Sequence, residues 1–288
     1  MADMRNPLPY VGGKRFMLKK LLKLLPSDVE YYLEVFGGTA GLLLAKRPCG
    51  FEVYNDIDEN LVNFYRVLRD RKKFEEFYRL ITLTPYARSE YNYAREKLLS
   101  GEGTDVERAY WFFVCARLCF GGKIYSSFGY EIATQAGGMS KVVHAYLSAV
   151  RDLPQLHTRF RRVQVENLDW EECMDKYNYE WFFAYLDPPY LLNTRKTEMY
   201  TYEMSAEEHG RLVEWLLSRN KMKIMLSGYV SDVYSILEEN GWRRFEYNVP
   251  LSVERVGEGR QKEEIKRSRR TECVWVNYDS DLRIFEDI

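Results

Sequence analysis

Only three of the 288 residues are histidine, His144, His157 and His209, and their spacing suits no metal site. The five cysteines, Cys49, Cys115, Cys119, Cys173 and Cys273, are odd in number and form no CxxC pair. Cys115 and Cys119 are spaced for one helix face, with no second pair to complete a zinc site. A disulfide framework and a resident metal are therefore not expected, and a reducing, cytoplasmic setting is. There is no run of 18 apolar residues, and MADMRNPLPY carries no apolar signal segment, so the expectation is a soluble protein with no membrane partner. An excess of positive charge is missing too. Lys and Arg number 42 against 43 Asp and Glu, for a net charge of -1. A chain that coats nucleic acid without selection would be strongly basic. Only local clusters remain, at 69–73, 159–162 and 266–270, each either solvated surface or a phosphate contact.

What is present is apolar bulk and aromatics. Apolar residues make up 46% of the chain and aromatics 15%, led by 23 Tyr. That is enough to bury a large core, and rings left at a surface can stack on bases. Short apolar strands are expected at 31–36, 51–54, 162–165, 181–186, 222–226, 242–249 and 273–278. Helices are expected at 14–25, 58–80, 88–100, 104–119, 139–152 and 206–218, the last opened by a Ser205–Glu208 capping box. Strands alternating with helices predict an α/β sheet covered on both faces. A charged helical block at 61–159 interrupts that alternation and reads as an inserted module. Inside it, the Gly-rich and aromatic stretch 121–130 reads as a hairpin or loop.

Three segments carry chemistry. Pro9-Tyr-Val-Gly-Gly-Lys14 resembles a phosphate loop but fails its pattern, because Leu8 and Arg15 stand where Gly and Ser or Thr are needed. Phosphotransfer is thereby disfavoured. Glu34-Val-Phe-Gly-Gly-Thr-Ala-Gly41 turns a strand into a helix through glycines, which let backbone approach a ligand closely. Asp56 ends the following strand, where nucleotide-binding sheets offer an acceptor to ribose hydroxyls. Ala184-Tyr-Leu-Asp-Pro-Pro-Tyr190 ends an apolar strand in a carboxylate, two stiff prolines and a ring, at the strand end where ligands bind.

Taken in order, YxGGK, ExFGGTAG, a helical insertion and then DPPY resemble the alpha group of amino-methyltransferases. These are the DNA adenine-N6 methyltransferases related to the bacterial GATC-methylating enzyme and its phage counterparts. The likeness extends through Asn55-Asp56, Asn63-Phe-Tyr65, 204–212, Leu226-Ser227 and 270–278, nearly the whole chain. It implies a Rossmann-like S-adenosylmethionine-dependent sheet at 1–60 and 160–288, with a mostly helical target-recognition domain containing a hairpin inserted at 61–159. It implies S-adenosyl-L-methionine as cofactor, held by Tyr10, Lys14, Glu34, Phe36, Gly38, Gly41, Asp56, Asp169 and Asp187. Asp187, Pro188 and Tyr190 are then the catalytic residues. The Asp187 carboxylate and Pro188 carbonyl accept the two N6 hydrogens, which favours a tetrahedral nitrogen with its lone pair free for direct transfer. The target base is flipped from the duplex at a cost of about a few kcal/mol, and Tyr190, expected to present an exposed ring, stacks on it. The polar segment 191–203, with Tyr200 and Tyr202, closes over the base.

DNA contacts are expected from Lys14, Lys123, Tyr125, Ser126, Ser127 and Tyr130, and from Arg267 and Arg269 in the 256–270 loop with its six basic residues. The family's Asn-Gly-x-x-Arg pattern is replaced by Gly121-Gly122-Lys123-Ile-Tyr125, so GATC is not carried over as the recognised sequence. The implied partners are double-stranded DNA and a cognate restriction endonuclease, with the protein monomeric on DNA and no metal. The competing readings are an amino-methyltransferase of cytosine N4 or of RNA adenine, and a DNA-binding homologue without catalysis.

Overall fold

The computed structural model describes residues 8–9, 14, 16–122, 124–132, 135–191, 202–250 and 269–279. Tyr10, Lys123 and Arg267 lie outside these residues, as do most of 191–203 and of 256–270.

The centre is a seven-stranded sheet built from β1 (Tyr31–Glu34), β2 (Phe51–Asn55), β5 (Gln164–Glu166), β6 (Phe182–Leu186), β7 (Lys223–Gly228), β8 (Arg243–Pro250) and β9 (Arg269–Val276). Its order is β5-β2-β1-β6-β7-β9-β8. The first five strands in that order run parallel, and β9 runs antiparallel to both of its neighbours. The central strand β6, Phe-Phe-Ala-Tyr-Leu, is buried throughout, as a strand covered on both faces must be. Alternation sends Phe183 and Tyr185 into one core and Phe182, Ala184 and Leu186 into the other. The second core is closed by α8 (Trp170–Lys176), α9 (Ala206–Ser218) and α10 (Asp232–Glu239). The expected capping box is present, with Ser205 Oγ accepting from Glu208 N and the Glu208 carboxylate accepting from Ser205 N.

The first core is larger, because it includes the helical block. After α1 (Leu18–Leu24) and α2 (Gly41–Ala45) come α3 (Glu59–Arg69), α4 (Arg71–Thr82), α5 (Arg88–Ser100), α6 (Asp105–Leu118) and α7 (Lys141–Phe160). The single helix expected over 58–80 is two. Asp70 is extended (φ -81°, ψ 124°), ends α3 and caps α4 by accepting from Lys73 N. Helix α7 outruns its expected end at 152 and passes through Pro154. Rings join this block to the sheet: Tyr54 on β2 meets Tyr65 at 4.8 Å, and Tyr65 stacks on Phe160 at 4.2 Å.

Two readings are narrowed. Of the two forms expected for 121–130, hairpin or loop, its described residues form the loop, pinned at its base with Phe120 N donating to Ser127 O and Gly129 N to Leu118 O. The two-stranded hairpin lies further on, between β3 (Gln135–Ala136) and β4 (Met139–Ser140). The basic cluster at 159–162 is also not one surface. Arg159 is buried and pairs with Glu52, which Lys46 pairs from the other side, and it donates to Leu43 O at 2.9 Å. A buried guanidinium so held is committed to joining α7, β2 and α2.

Candidate active site

The carboxyl ends of β1, β2 and β6 lie side by side, with Glu34 opposite both Tyr54 and Tyr185. Each strand end delivers one chemical element. After β1, the backbone must fold back sharply over Tyr54. A Cβ on Gly37 would lie 2.2 Å from the Tyr54 ring and 2.8 Å from Asn55 O, so only glycine fits. Gly38 takes a left-handed φ of +48° and has open space beside it. Its carbonyl accepts from Tyr54 Oη at 2.7 Å, and its N–H donates to Asp56 Oδ2 at 2.7 Å. Phe36 and Gly41 are half-buried on either side of the turn.

At the end of β2, Asn55 ties three segments together. Its Nδ2 donates to Val35 O and Leu168 O, and its Oδ1 accepts from Leu168 N at 2.9 Å. This brings the Asn167-Leu168-Asp169 loop beside Asp56, where Asn167 Nδ2 donates to Asp56 O. Asp169 is exposed and accepts from Glu171 N to cap α8. The Asp56 carboxylate accepts from Asp58 N and Gly38 N. Burial pushes its pKa up to about 6, against the pull of those two N–H donors. Glu34 sits deeper, its Oε2 accepting from Tyr32 Oη at 2.7 Å and from Leu43 N at 2.9 Å. Burial pushes its pKa up to about 8.

At the end of β6, Lys14 Nζ lies 2.9 Å from Asp187 Oδ1, donates to Tyr190 Oη and stands 4.3 Å from the centre of the Tyr190 ring. Burial pushes the Asp187 pKa up to about 6, although Lys14 and the Tyr190 hydroxyl hold it down. Tyr190 is only 6% exposed, which corrects the expectation of an exposed ring. The ring is covered by Lys14 and meets Tyr229 edge-on at 4.4 Å. A carboxylate followed by a prolyl carbonyl can accept both hydrogens of an amino group.

Of the residues expected to read DNA, Tyr125, Ser127 and Tyr130 are exposed. Ser126 is half-buried, and its Oγ donates to Phe120 O, so it braces the loop. Tyr125 keeps about a third of its surface exposed, and partial burial, then the nearby charge of Asp58, pushes its hydroxyl up to about 12. Arg88 approaches the rings of Phe128 and Tyr130. Arg269 opens β9 opposite Pro250.

Three site neighbours escaped the reading of the sequence. Glu272 on β9 has its Oε2 4.0 Å from Lys14 Nζ, buried and without a hydrogen bond. Tyr229 follows β7. His209, read as a scattered histidine, lies fully buried against Pro189 O. Only their nearness in the folded chain reveals them. Among the described residues, no group of three His, Cys, Asp or Glu could hold a metal ion, and no helix is long and apolar enough to cross a membrane.

Residues 10–248 match the family model of the D12 class N6 adenine-specific DNA methyltransferases. The chain is also similar to the Type II methyltransferase M1.LlaDCHI of Lactococcus lactis subsp. cremoris, at 26% identity over 220 residues covering 73% of this chain and 75% of that one. With the match spanning the glycine turn, the helical block and the Asp187-Pro188-Pro189-Tyr190 strand end, this chain belongs to the D12 class N6 adenine-specific DNA methyltransferases.

Proposed function

We propose that the protein methylates N6 of adenine in duplex DNA, using S-adenosyl-L-methionine, after turning the target base out of the helix. The observation that carries this reading is the seat of Asp187-Pro188-Pro189-Tyr190, on the strand paired with the one that ends in the glycine turn. The residues at that turn fit the cofactor. Gly37 cannot carry a side chain, Gly38 leaves open space, and Asp56 is held as an oriented acceptor for ribose hydroxyls. When bound, S-adenosyl-L-methionine supplies an electrophilic methyl group on a sulfonium.

The chain's own residues do the rest. Phe36, Gly38 and Gly41 line the cofactor, Asp56 takes its ribose and Asp169 its adenine. Tyr10, Lys14 and Asp187 serve its methionine end, and Glu34 supports the turn through Leu43 N. Asp187 and the Pro188 carbonyl accept the amino hydrogens of adenine and so orient the nitrogen lone pair. Tyr190 stacks on the base once Lys14 has left its ring, and Glu272 offers the charge that receives Lys14. The helical block at 61–159 recognises the target through Lys123, Tyr125, Ser126, Ser127 and Tyr130, with Arg267 and Arg269 on phosphates. The protein acts as a monomer on DNA. Its likeness to a Type II methyltransferase supports pairing with a cognate restriction endonuclease.

The test is incubation of the purified chain with labelled S-adenosyl-L-methionine and duplex DNA, followed by mass spectrometry of the released nucleosides. N6-methyladenine is the expected product. Methylcytosine, or no methyl transfer, overturns the reading.

A further inference from the structure

Pro188 and Pro189, in the middle of the Asp187-Pro188-Pro189-Tyr190 turn, have no backbone donor, so their carbonyls are the polar handles by which the protein can hold these two residues. One is held from outside the turn. Helix α9 carries His209, fully buried, with Nε2 3.0 Å from Pro189 O. Its other nitrogen, Nδ1, lies 2.6 Å from Tyr234 Oη on α10. Chemistry assigns the protons. A carbonyl can only accept, so Nε2 carries the hydrogen. In the neutral ring Nδ1 is then the acceptor, and the single hydroxyl hydrogen of Tyr234 goes to it. Tyr234 is itself 2% exposed and wedged against Trp275 at 5.1 Å. The chain Tyr234–His209–Pro189 is therefore a directed pair of hydrogen bonds, ending one residue from the Pro188 carbonyl and two from Asp187.

We propose that His209 is a positioning residue for methyl transfer: held as its Nε2–H form by Tyr234, it fixes the Pro189 carbonyl and thereby the aim of the Pro188 carbonyl and Asp187 carboxylate. This rests on the reading of those two groups as acceptors of the adenine amino group. Misplacement of such acceptors by about 1 Å costs on the order of 10²-fold in rate.

The experiment uses the full chain, single-turnover methyl transfer to duplex DNA and cofactor affinity by titration. His209→Leu fills the site without a donor. His209→Gln can offer an amide N–H to Pro189 and an amide oxygen to Tyr234. The proposal expects His209→Leu to lower the single-turnover rate by about 10- to 100-fold, with affinities for cofactor and DNA within about 2-fold. It expects His209→Gln to recover most of the loss. A folded His209→Leu at wild-type rate, or a His209→Gln as slow as His209→Leu, overturns it. Should His209→Leu not fold, Tyr234→Phe removes only the hydroxyl that selects the tautomer. A several-fold slower rate supports the proposal, and an unchanged one defeats it. Asp187→Ala separates the two readings. If that variant turns over normally, the acceptor reading itself fails. If it is inert while His209→Leu is fast, only the positioning role fails.

Discussion

Strands β1, β2 and β6 carry opposite chemistry at their two ends. At the amino ends, Tyr31, Phe51 and Phe182 pack ring against ring, with Trp181 and Tyr179 extending the cluster to the surface. At the carboxyl ends stand Glu34, Asp56 and Asp187, all with pKa values raised by burial. Parallel strands gather all their carboxyl ends on one edge, so three separate acids become one site. The aromatic edge closes the bottom of the sheet and leaves the chemistry alone. The difference teaches that the same strands can be altered at one end for stability and at the other for reaction.

The largest break in that contrast is Asp187→Ala, expected to slow single-turnover methylation by on the order of 10²- to 10³-fold, as loss of an oriented electrostatic group does. In the wild type, Asp187 is a full carboxylate acceptor only when ionised; protonated, it presents an O–H donor and a weaker acceptor. The rate should therefore hold above about pH 7 and fall as pH drops through about 6, measured at saturating cofactor so that Asp56 does not contribute. Next is Gly37→Ala, whose methyl meets Tyr54 and the Asn55 backbone. Urea unfolding should show a loss of about 1–3 kcal/mol, together with weaker cofactor binding.

Glu34 gives a smaller, pH-dependent effect. Its folded pKa is raised from 4.5 to about 8, so the fold favours the neutral acid. That stabilisation is complete below the unfolded value and is lost as pH rises through about 8. Glu34→Gln, neutral throughout, should flatten the fall of unfolding free energy between those values. A variant whose stability falls as steeply as the wild type's would sink the assignment. Smallest is Trp181→Ala at the aromatic edge. Trp181 is 59% exposed, so a loss within about 1 kcal/mol and an unchanged methylation rate are expected. A slowed rate would mean that the two edges are not independent.

Local features were legible before the fold was known. The bounds of α5 and α9, the Ser205 cap and the strand ending in Asp187 follow from periodicity, caps and prolines, all of which act over a few residues. The break at Asp70 was missed because an acid inside an amphipathic run looks the same whether it caps or is solvated. The Arg159–Glu52 pair and the His209–Pro189 bond were illegible for another reason. They join residues 107 and 20 positions apart, and nothing in either local stretch records its partner. Lys14 and Tyr190, 176 positions apart, meet only in the fold. The burial of Tyr190 is illegible for the same reason, since Lys14 and Tyr229, which cover it, are remote in the chain.

The sheet order holds a consequence for synthesis. Strand β8 is made before β9, yet its place in the sheet is on the far side of β9. Until residues 269–276 leave the ribosome, the edge of β7 has no native partner and β8 has nothing native to pair with. A nascent chain paused there presents an open parallel edge, the kind of surface that captures foreign strands. Strand β9, the last of the described strands to arrive, closes that edge and, through Glu272, brings a carboxylate within 4.0 Å of Lys14.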